Sequence, residues 1–258
     1  IIGGVILREV KEGVNIVLAS KNGQIKKTSI EEFVTSRIAK TSKCFNLSGD
    51  DELVSVQISK GNSDILVVSA NGQCSLFNES ELNLVSLKAG GVKAITGIDE
   101  DNKVATLLTF DERESCKLGI ITHQQGGRLV DYSNITRTNR LGAKCALYRS
   151  FKSEPQECLN VYKFPKKAEK MQVNLVLDNK IRCIAKLEET KTYPLEAYLK
   201  HNLDFASEDN VKDAFIEYVP IIDNSLITVV SKKIEKEEKS KDNDEYEQLS
   251  LFSYIDED

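Results

Sequence analysis

Lysine and arginine side chains, interleaved with serine and threonine hydroxyls, recur along the sequence. Residues 35–43 read TSRIAKTSK and residues 136–152 read TRTNRLGAKCALYRSFK. Ammonium, guanidinium and hydroxyl groups contact the phosphate oxygens of nucleic acids. A third stretch, 86–95, places Gly90-Gly91 between Lys88 and Lys93, and paired glycines let a backbone approach a phosphate closely. These residues predict contacts to a nucleic-acid backbone, with no code for individual bases.

The charge distribution supports this prediction better than the total charge does. The net charge of −5 disfavours nucleic-acid binding by the chain as a whole. Residues 234–258, however, hold ten acids and three bases (−7), whereas residues 117–167 hold ten bases and three acids (+7). We therefore predict a locally basic body followed by an acidic, disordered C-terminal tail.

Motifs for catalysis are missing from the sequence. It has no P-loop, no G-x-G-x-x-G, and no Ser-His-Asp or metal-ligand pattern. We expect no catalysis by this chain alone, no cofactor in it and no metal site.

The six cysteines form no C-x-x-C pair, so we expect reduced thiols, a melting temperature that does not respond to reductant, and a cytoplasmic protein. No apolar run approaches the roughly 20 residues of a membrane helix, which predicts no membrane partner. We interpret the N-terminus, which lacks Met and a signal peptide, as a cut into a longer protein.

A repeat of about 50 residues must position the basic stretches. Apolar runs lead into turns at positions 22, 71, 126, 179 and 231, which are 49, 55, 53 and 52 residues apart. Asn-Gly at two of these turns predicts hairpins of the primed type, with positive φ at both central residues. A returning strand follows each hairpin, at 53–58, 104–108, 159–162 and 214–219. Few segments show the amphipathic pattern of a helix, and one helical turn is predicted over residues 29–33.

These elements predict an all-β fold, a β-pinwheel or propeller-like ring of about five to six four-stranded blades. The predicted divisions are an incomplete blade with a returning strand at 1–14, the DNA-binding ring at 15–233 and the tail at 234–258. A β-sandwich with coincidental spacing is the alternative fold. The basic stretches occupy equivalent places in successive units, so we expect them along one edge of the ring, which suits a bent duplex. The fourth equivalent stretch, 187–210, is acidic and would interrupt that edge.

Four short segments carry a resemblance to a known family. NGQIKK at 22–27, AGGVKAI at 89–95, RLGAK at 140–144 and RSFKSEP at 149–155 resemble the C-terminal domain of the A subunits of bacterial type IIA topoisomerases. The resemblance is strongest to topoisomerase IV of Gram-positive type.

The resemblance implies a pinwheel whose blades exchange strands, with double-stranded DNA bound on the rim and presented for strand passage. Decatenation, relaxation and chromosome segregation are the implied roles, in the cytoplasm at the nucleoid. Breakage and reunion would use a separate N-terminal domain, which is also the implied contact of a homodimer of A subunits. The B subunit of topoisomerase IV is the other implied partner, and ATP and magnesium would act on other domains or subunits.

Two further functions stay open at this point. The wrapping domain of a gyrase A subunit is one, although residues 88–93 lack the leading Gln, the paired bases and the closing Gly of the gyrase box. A protein-interaction propeller without DNA binding is the other. The residues predicted to bind DNA are Lys26, Lys27, Arg37, Lys40, Lys43, Lys88, Gly90, Gly91, Lys93, Arg128, Arg137, Arg140, Lys144, Arg149 and Lys152.

The tail contains a separate candidate. Gln248, Leu249, Leu251 and Phe252 form a short apolar anchor with one amide, as short peptide ligands require. The pentapeptide 248–252 resembles the motif by which bacterial replication proteins dock on the sliding clamp. The hypothesis is that the tail tethers the protein to that clamp.

Overall fold

The computed structural model describes residues 12–34, 41–112, 114–165, 172–185, 192–203 and 209–217. The chain divides into two compact units, residues 1–218 and 219–258, and all described residues lie in the first. Within these ranges, no helix is long and apolar enough to cross a membrane.

Strands and three short 3₁₀ helices make up the regular structure of the described residues. The strands are β1 (Asn15–Ser20), β2 (Gln24–Ser29), β3 (Leu53–Ser59), β4 (Asp64–Ser69), β5 (Gln73–Asn78), β6 (Val92–Lys93), β7 (Val104–Phe110), β8 (Cys116–Thr122), β9 (Gly127–Asp131), β10 (Cys145–Ala146), β11 (Arg149–Ser150), β12 (Cys158–Pro165), β13 (Gln172–Leu177), β14 (Arg182–Ala185), β15 (Tyr198–Leu199) and β16 (Val211–Glu217). The 3₁₀ helices are Ile30–Phe33, Glu79–Glu81 and Tyr132–Asn134.

Each blade is built from a hairpin and a returning strand. The hairpins are β1-β2, β4-β5, β8-β9 and β13-β14. In every case the returning strand pairs antiparallel with the first hairpin strand: β3 with β1, β7 with β4, β12 with β8 and β16 with β13. The described residues therefore form four blades, and both the hairpins and the returning strands confirm the predicted repeat.

Three segments cross from one repeat to the blade before it, and we call residues 84–95, 138–147 and 192–203 the exchanged segments. In the first two, β6 pairs with β2 and β10 pairs with β5. The anchoring hydrogen bonds recur: the N–H groups of Ala94, Leu147 and Leu203 donate to the carbonyls of Gly23, Gly72 and Gln125 at 2.8, 2.9 and 3.0 Å. The exchange gives the first two sheets four strands, while the described residues of the third and fourth sheets show three. The all-β pinwheel with strand exchange is thus confirmed.

The core lies between consecutive blades because both faces of the inner strands are buried. In β4, Ile65 and Val67 pack with the first blade, whereas Leu66 and Val68 pack with the third. Successive side chains of a strand point to opposite faces of its sheet. An apolar run without alternation, as in residues 65–68, therefore belongs to a sheet covered on both sides.

The predicted turn type is wrong. Gly23 and Gly72 have φ of +82° and +78°, but the asparagine before each glycine does not have positive φ. The N–H of Gly23 donates to the Ser20 carbonyl at 3.1 Å, so the hairpin is a type I turn closed by a left-handed residue. Gln125 and Lys180 take the left-handed position in the third and fourth hairpins, with φ of +56° and +69°.

One further predicted element is confirmed, and three others lie outside the described residues. The helical turn predicted over residues 29–33 is confirmed by the 3₁₀ helix Ile30–Phe33, with the Ser29 hydroxyl accepting from the Glu31 N–H. The returning strand at 5–10, the fifth hairpin near 231 and the tail at 234–258 lie outside the described residues.

The turn glycines generate a stability prediction. A Cβ at Gly72 would stand 2.7 Å from the Tyr148 ring, and the Tyr148 hydroxyl is itself fixed by bonds to the Ala70 and Gln156 carbonyls, both 3.2 Å long. We expect Gly72→Ala to lower the free energy of unfolding by about 3 kcal/mol, from left-handed strain plus overpacking. Urea denaturation of the purified chain measures this loss.

A matched control separates the two causes. Gly49 also has positive φ, +61°, but a Cβ there would meet nothing within 4 Å. Gly49→Ala should therefore cost only the strain, about 1–2 kcal/mol. Equal losses in the two variants would contradict a role for the Tyr148 contact.

Candidate nucleic-acid interface

In the first three hairpins, the second strand carries a polar residue three positions after the left-handed turn residue. In the first three blades these are Lys26, Ser75 and Arg128, which we call the staple residues. Each donates hydrogen bonds to backbone carbonyls of the exchanged segment that crosses its blade. Because these hydrogen bonds hold the exchanged segments in place, they also fix the positions of the bases that the segments carry.

Lys26 is buried, with 2% of its surface exposed. Its Nζ donates to the carbonyls of Ser86 (3.0 Å), Leu87 (2.8 Å) and Ala89 (3.3 Å) in the first exchanged segment, and to the Cys44 carbonyl (2.9 Å). The Phe45 ring lies 5.5 Å from the same nitrogen, within cation–π range. Burial lowers the pKa of Lys26 below that of an ordinary lysine.

Arg128 repeats the arrangement two blades further on. Its guanidinium donates to the carbonyls of Ala197 at 2.8 Å and Tyr198 at 2.6 Å. The Tyr193 ring faces it at 4.9 Å, and burial lowers the pKa of Arg128. The cation and its carbonyl partners thus recur at equivalent places in the first and third blades. An aromatic ring faces each cation, although Phe45 belongs to the first repeat and Tyr193 to the exchanged segment.

Lys27 is buried as well, and it pairs with a carboxylate from the second repeat. Its Nζ donates to the Glu79 carbonyl at 2.8 Å and lies 3.5 Å from Glu79 Oε2. Glu79 is fully buried and also accepts from the Ser63 N–H at 2.6 Å and the Ser59 hydroxyl at 2.7 Å. A carboxylate with these donors is compensated for its loss of water.

The positions of Lys26, Lys27 and Arg128 correct the predicted set of DNA-binding residues. The sequence predicts them as phosphate contacts, but their charged groups are occupied inside the protein. A buried cation whose charged group points at internal carbonyls or a carboxylate is not placed to reach a phosphate outside the protein. The structure gives these three residues a structural role instead.

The glycine pair lies in the loop that Lys26 holds. A Cβ at Gly91 would come within 2.8 Å of the Ile25 carbonyl and 2.9 Å of the Phe45 ring, whereas one at Gly90 would have only the Asn46 carbonyl, at 3.6 Å. Gly91 is therefore needed for packing on the first blade. Gly90 faces outward between the exposed side chains of Lys88 and Lys93.

Two exchanged segments meet at a cluster of three predicted bases, Lys93, Arg140 and Lys144, which we call the basic junction. The Arg140 guanidinium donates to the Lys93 carbonyl. The Lys144 Nζ donates to the Thr96 carbonyl at 3.1 Å. Residues 47 and 48 positions apart in sequence are thereby brought together on the surface.

Comparison with known proteins shows which proteins the chain is similar to. Residues 15–60 and 63–111 match the family model described as DNA gyrase C-terminal domain, beta-propeller. The A subunit of DNA topoisomerase 4 from Bacillus subtilis strain 168 is 26% identical over 162 residues, 63% of this chain and 20% of the relative. The A subunit of DNA gyrase from Staphylococcus epidermidis ATCC 12228 is 34% identical over 128 residues, 49% of this chain and 14% of the relative. Over the matched residues the chain is thus similar to the C-terminal domains of type II topoisomerase A subunits.

Solved structures agree with this family in fold. The C-terminal domain of DNA topoisomerase IV superposes with a TM-score of 0.71 at 17% identity, covering 83% of this chain and 65% of that one. The C-terminal domain of DNA gyrase A gives 0.67 at 16% identity, covering 82% and 68%. The predicted resemblance to the C-terminal domains of topoisomerase A subunits is confirmed. The chain spans about a fifth or less of the length of the curated relatives described here.

The other predicted bases that the structure describes are exposed, but they differ in whether their charged groups have partners. Arg137 forms an ion pair with Asp64 at 3.0 Å and Arg149 forms one with Glu196, so both are partly neutralised. Lys43 donates to the Asn46 side chain at 2.8 Å. Among the described residues, the ammonium groups of Lys88, Lys93 and Lys152 have no side-chain partner. Two predicted residues, Arg37 and Lys40, and the predicted tail anchor lie outside the described residues.

Sequence reasoning missed an aromatic pair next to these bases. Phe151 and Tyr198 stack with ring centroids 4.3 Å apart, and the Lys200 Nζ lies 5.1 Å from the Phe151 ring. The parallel pairing of β11 with β15 brings these residues together. The stretch 187–210 is predicted as acidic, and Lys200, one of two lysines within it, gives no signal on its own.

Lys26 generates a prediction that separates structural from surface lysines. We expect Lys26→Met to lower the free energy of unfolding by about 2–4 kcal/mol, because four carbonyls lose their donor. Lys88→Met is the control, since Lys88 is exposed in the same loop, and it should change stability by less than about 0.5 kcal/mol. Thermal and urea unfolding measure both. Comparable losses would mean that the carbonyl contacts of Lys26 do not hold the loop.

Proposed function

We propose that this domain binds double-stranded DNA through the basic junction and the exposed lysines beside it. The observation that carries the proposal is the meeting of Lys93, Arg140 and Lys144 from two different repeats. Cations that successive repeats bring to one part of the surface can each contact a phosphate of a duplex backbone. Lys88 and the partner-free Lys152 would extend that path.

The contacts around the junction favour backbone recognition over base reading. The Arg140 backbone N–H donates to the Glu81 carboxylate at 2.7 Å, and its guanidinium donates to the Lys93 carbonyl. A guanidinium with one donor used in this way cannot present its full fork to a guanine edge. We therefore propose sequence-tolerant binding, with specificity arising from DNA shape and deformability.

We propose further that the parent protein is the A subunit of a topoisomerase IV, which uses this domain to present or bend a DNA segment for strand passage. Decatenation, relaxation and chromosome segregation at the nucleoid are the proposed roles. The proposal includes the B subunit of topoisomerase IV and a second copy of the A subunit as partners, with ATP and magnesium used on other domains or subunits. The alignment with the A subunit of topoisomerase 4 over 63% of the chain supports this choice. The proposed clamp contact of the tail remains a prediction from sequence.

A gyrase-type wrapping domain is the second candidate, favoured by one observation. Identity to the gyrase relative is 34%, compared with 26% to the topoisomerase 4 relative, although over fewer residues. Against it, residues 88–93 depart from the gyrase box, and Gly91 is occupied in packing on the first blade. We expect the loop to contribute phosphate contacts without tight chiral wrapping.

The DNA-binding proposal predicts a change in salt dependence. We expect the double variant Lys93→Gln, Lys144→Gln to bind duplex DNA more weakly on all sequences. The slope of log K against log salt should fall by up to about 2, since each lost phosphate contact contributes about one unit. Fluorescence anisotropy with two unrelated duplexes over a salt series measures this.

A control with equal charge removal is available elsewhere on the surface. Lys21 and Lys60 are exposed but ion-paired with Glu52 and Asp111, so Lys21→Gln, Lys60→Gln should leave the slope unchanged. If both double variants lowered the slope equally, binding would follow total charge and not the junction. Absence of wild-type binding at low salt would favour a protein-interaction propeller.

Topological assays distinguish the two topoisomerase candidates. We expect ligation of a nicked circle in the presence of this domain to give little change in linking number, because the complete gyrase box is missing. Agarose gel electrophoresis of the ligated circles measures the distribution. A strong shift of that distribution with increasing protein would support the gyrase-type domain instead.

A further inference from the structure

Two cysteines that are 71 residues apart in sequence lie directly opposite each other across an exchanged strand. Cys145 in β10 is the antiparallel register partner of Cys74 in β5. Their sulfur atoms are 3.0 Å apart. Both residues are free thiols in the structure.

The backbone geometry at this pair suits a covalent bridge. Cα atoms of opposed residues in antiparallel strands are about 4.5–5.5 Å apart, which falls within the range that disulfides span. The sulfurs need to approach by only about 1 Å to reach bonding distance. Cys145 lies on the two-residue strand β10, so a small side-chain rotation or strand shift suffices.

The two sulfurs differ in exposure and in acidity. Cys74 is fully buried, whereas Cys145 is half-buried and reachable from solvent. Hydrogen bonding from the Cys74 thiol lowers the pKa of Cys145, and a lower pKa increases the thiolate that attacks an oxidant. Cys158, in the same core cluster, is fully buried and its pKa is raised to about 12 by burial. Cys145 is therefore the entry point for oxidation and Cys158 is not.

We propose that Cys74 and Cys145 are a redox modification site, which forms a disulfide when the protein meets a peroxide or a low-molecular-weight disulfide. With hydrogen peroxide, the Cys145 thiolate attacks one oxygen, forming a sulfenic acid and releasing hydroxide, which leaves as water. The Cys74 sulfur then displaces the sulfenic hydroxyl. Its thiol proton leaves with that hydroxyl as a second water, and the S–S bond forms. Two sulfurs give up two electrons to the peroxide, and a glutathione disulfide would instead leave as two reduced thiols.

The consequence of the bridge follows from the strand exchange. Cys145 belongs to the third repeat and Cys74 to the second blade, so the bond would fasten one repeat onto its neighbour. It would also fix Lys144, the adjacent residue, which the Thr96 carbonyl already holds. Sequence reasoning expects no paired thiols because no C-x-x-C occurs. The tertiary structure places a pair together that sequence spacing does not reveal.

The experiment uses the whole chain, purified under reduction and then exposed to hydrogen peroxide or oxidised glutathione. Alkylation, proteolysis and mass spectrometry without reductant should identify one cross-linked peptide that joins Cys74 and Cys145 and lacks two hydrogen atoms. The titratable thiols should fall from six to four. The melting temperature should rise by roughly 5–10 °C and return to its original value on adding reductant.

Variants give the matched control. Cys145→Ser should abolish the cross-link and the thermal shift, whereas Cys44→Ser, at another partly exposed free thiol, should retain both. Oxidised wild-type protein in which Cys145 carries glutathione or a sulfinic acid while Cys74 stays free would overturn the proposal. That measurement on the wild type decides the question even if a cysteine variant fails to fold.

Discussion

One repeated contact supports the rest of the structure: a polar side chain on the second hairpin strand binds the backbone of a segment that arrives from the next repeat. Lys26, Ser75 and Arg128 make this contact in three successive blades. The crossing segments pair over only two residues in β6 and β10, so most of their carbonyls find no strand partner. An unpaired buried carbonyl costs about 1–3 kcal/mol. Donors supplied by the neighbouring blade remove that cost and make the exchange stable.

A buried charged side chain needs interactions that replace its lost water. The first and third blades provide these interactions in the same way. Lys26 and Arg128 each combine carbonyl acceptors with an aromatic ring, Phe45 or Tyr193. A cation in that environment exchanges water for oriented dipoles and a ring face. Ser75 makes a smaller version, a single hydrogen bond of 3.3 Å to the Arg140 carbonyl. A neutral hydroxyl needs less compensation than a cation.

These internal contacts also determine where the bases lie on the surface. The loop fixed by Lys26 carries Lys88, and the segment fixed by Ser75 carries Arg140 and Lys144. The proposed DNA-binding surface therefore lies on backbone that side chains of the neighbouring blades hold in place. The same anchoring aligns Cys74 with Cys145 across β5 and β10. Stability, surface charge and the thiol pair thus depend on one feature, the crossing of chain between blades.

The sequence alone determined the hairpins, the returning strands and the all-β class, because apolar runs, turn residues and repeat spacing are local signals. It also determined the exposed bases of the junction, since lysine and arginine flank the strands there. The turn type was wrong because Asn-Gly fits both a primed turn and a type I turn with a left-handed glycine. Only the tertiary structure decided that Lys26, Lys27 and Arg128 are internal. The groups that contact them inside the protein, such as the Glu79 carboxylate for Lys27 and the Ala197 carbonyl for Arg128, lie 52 and 69 residues further along the chain.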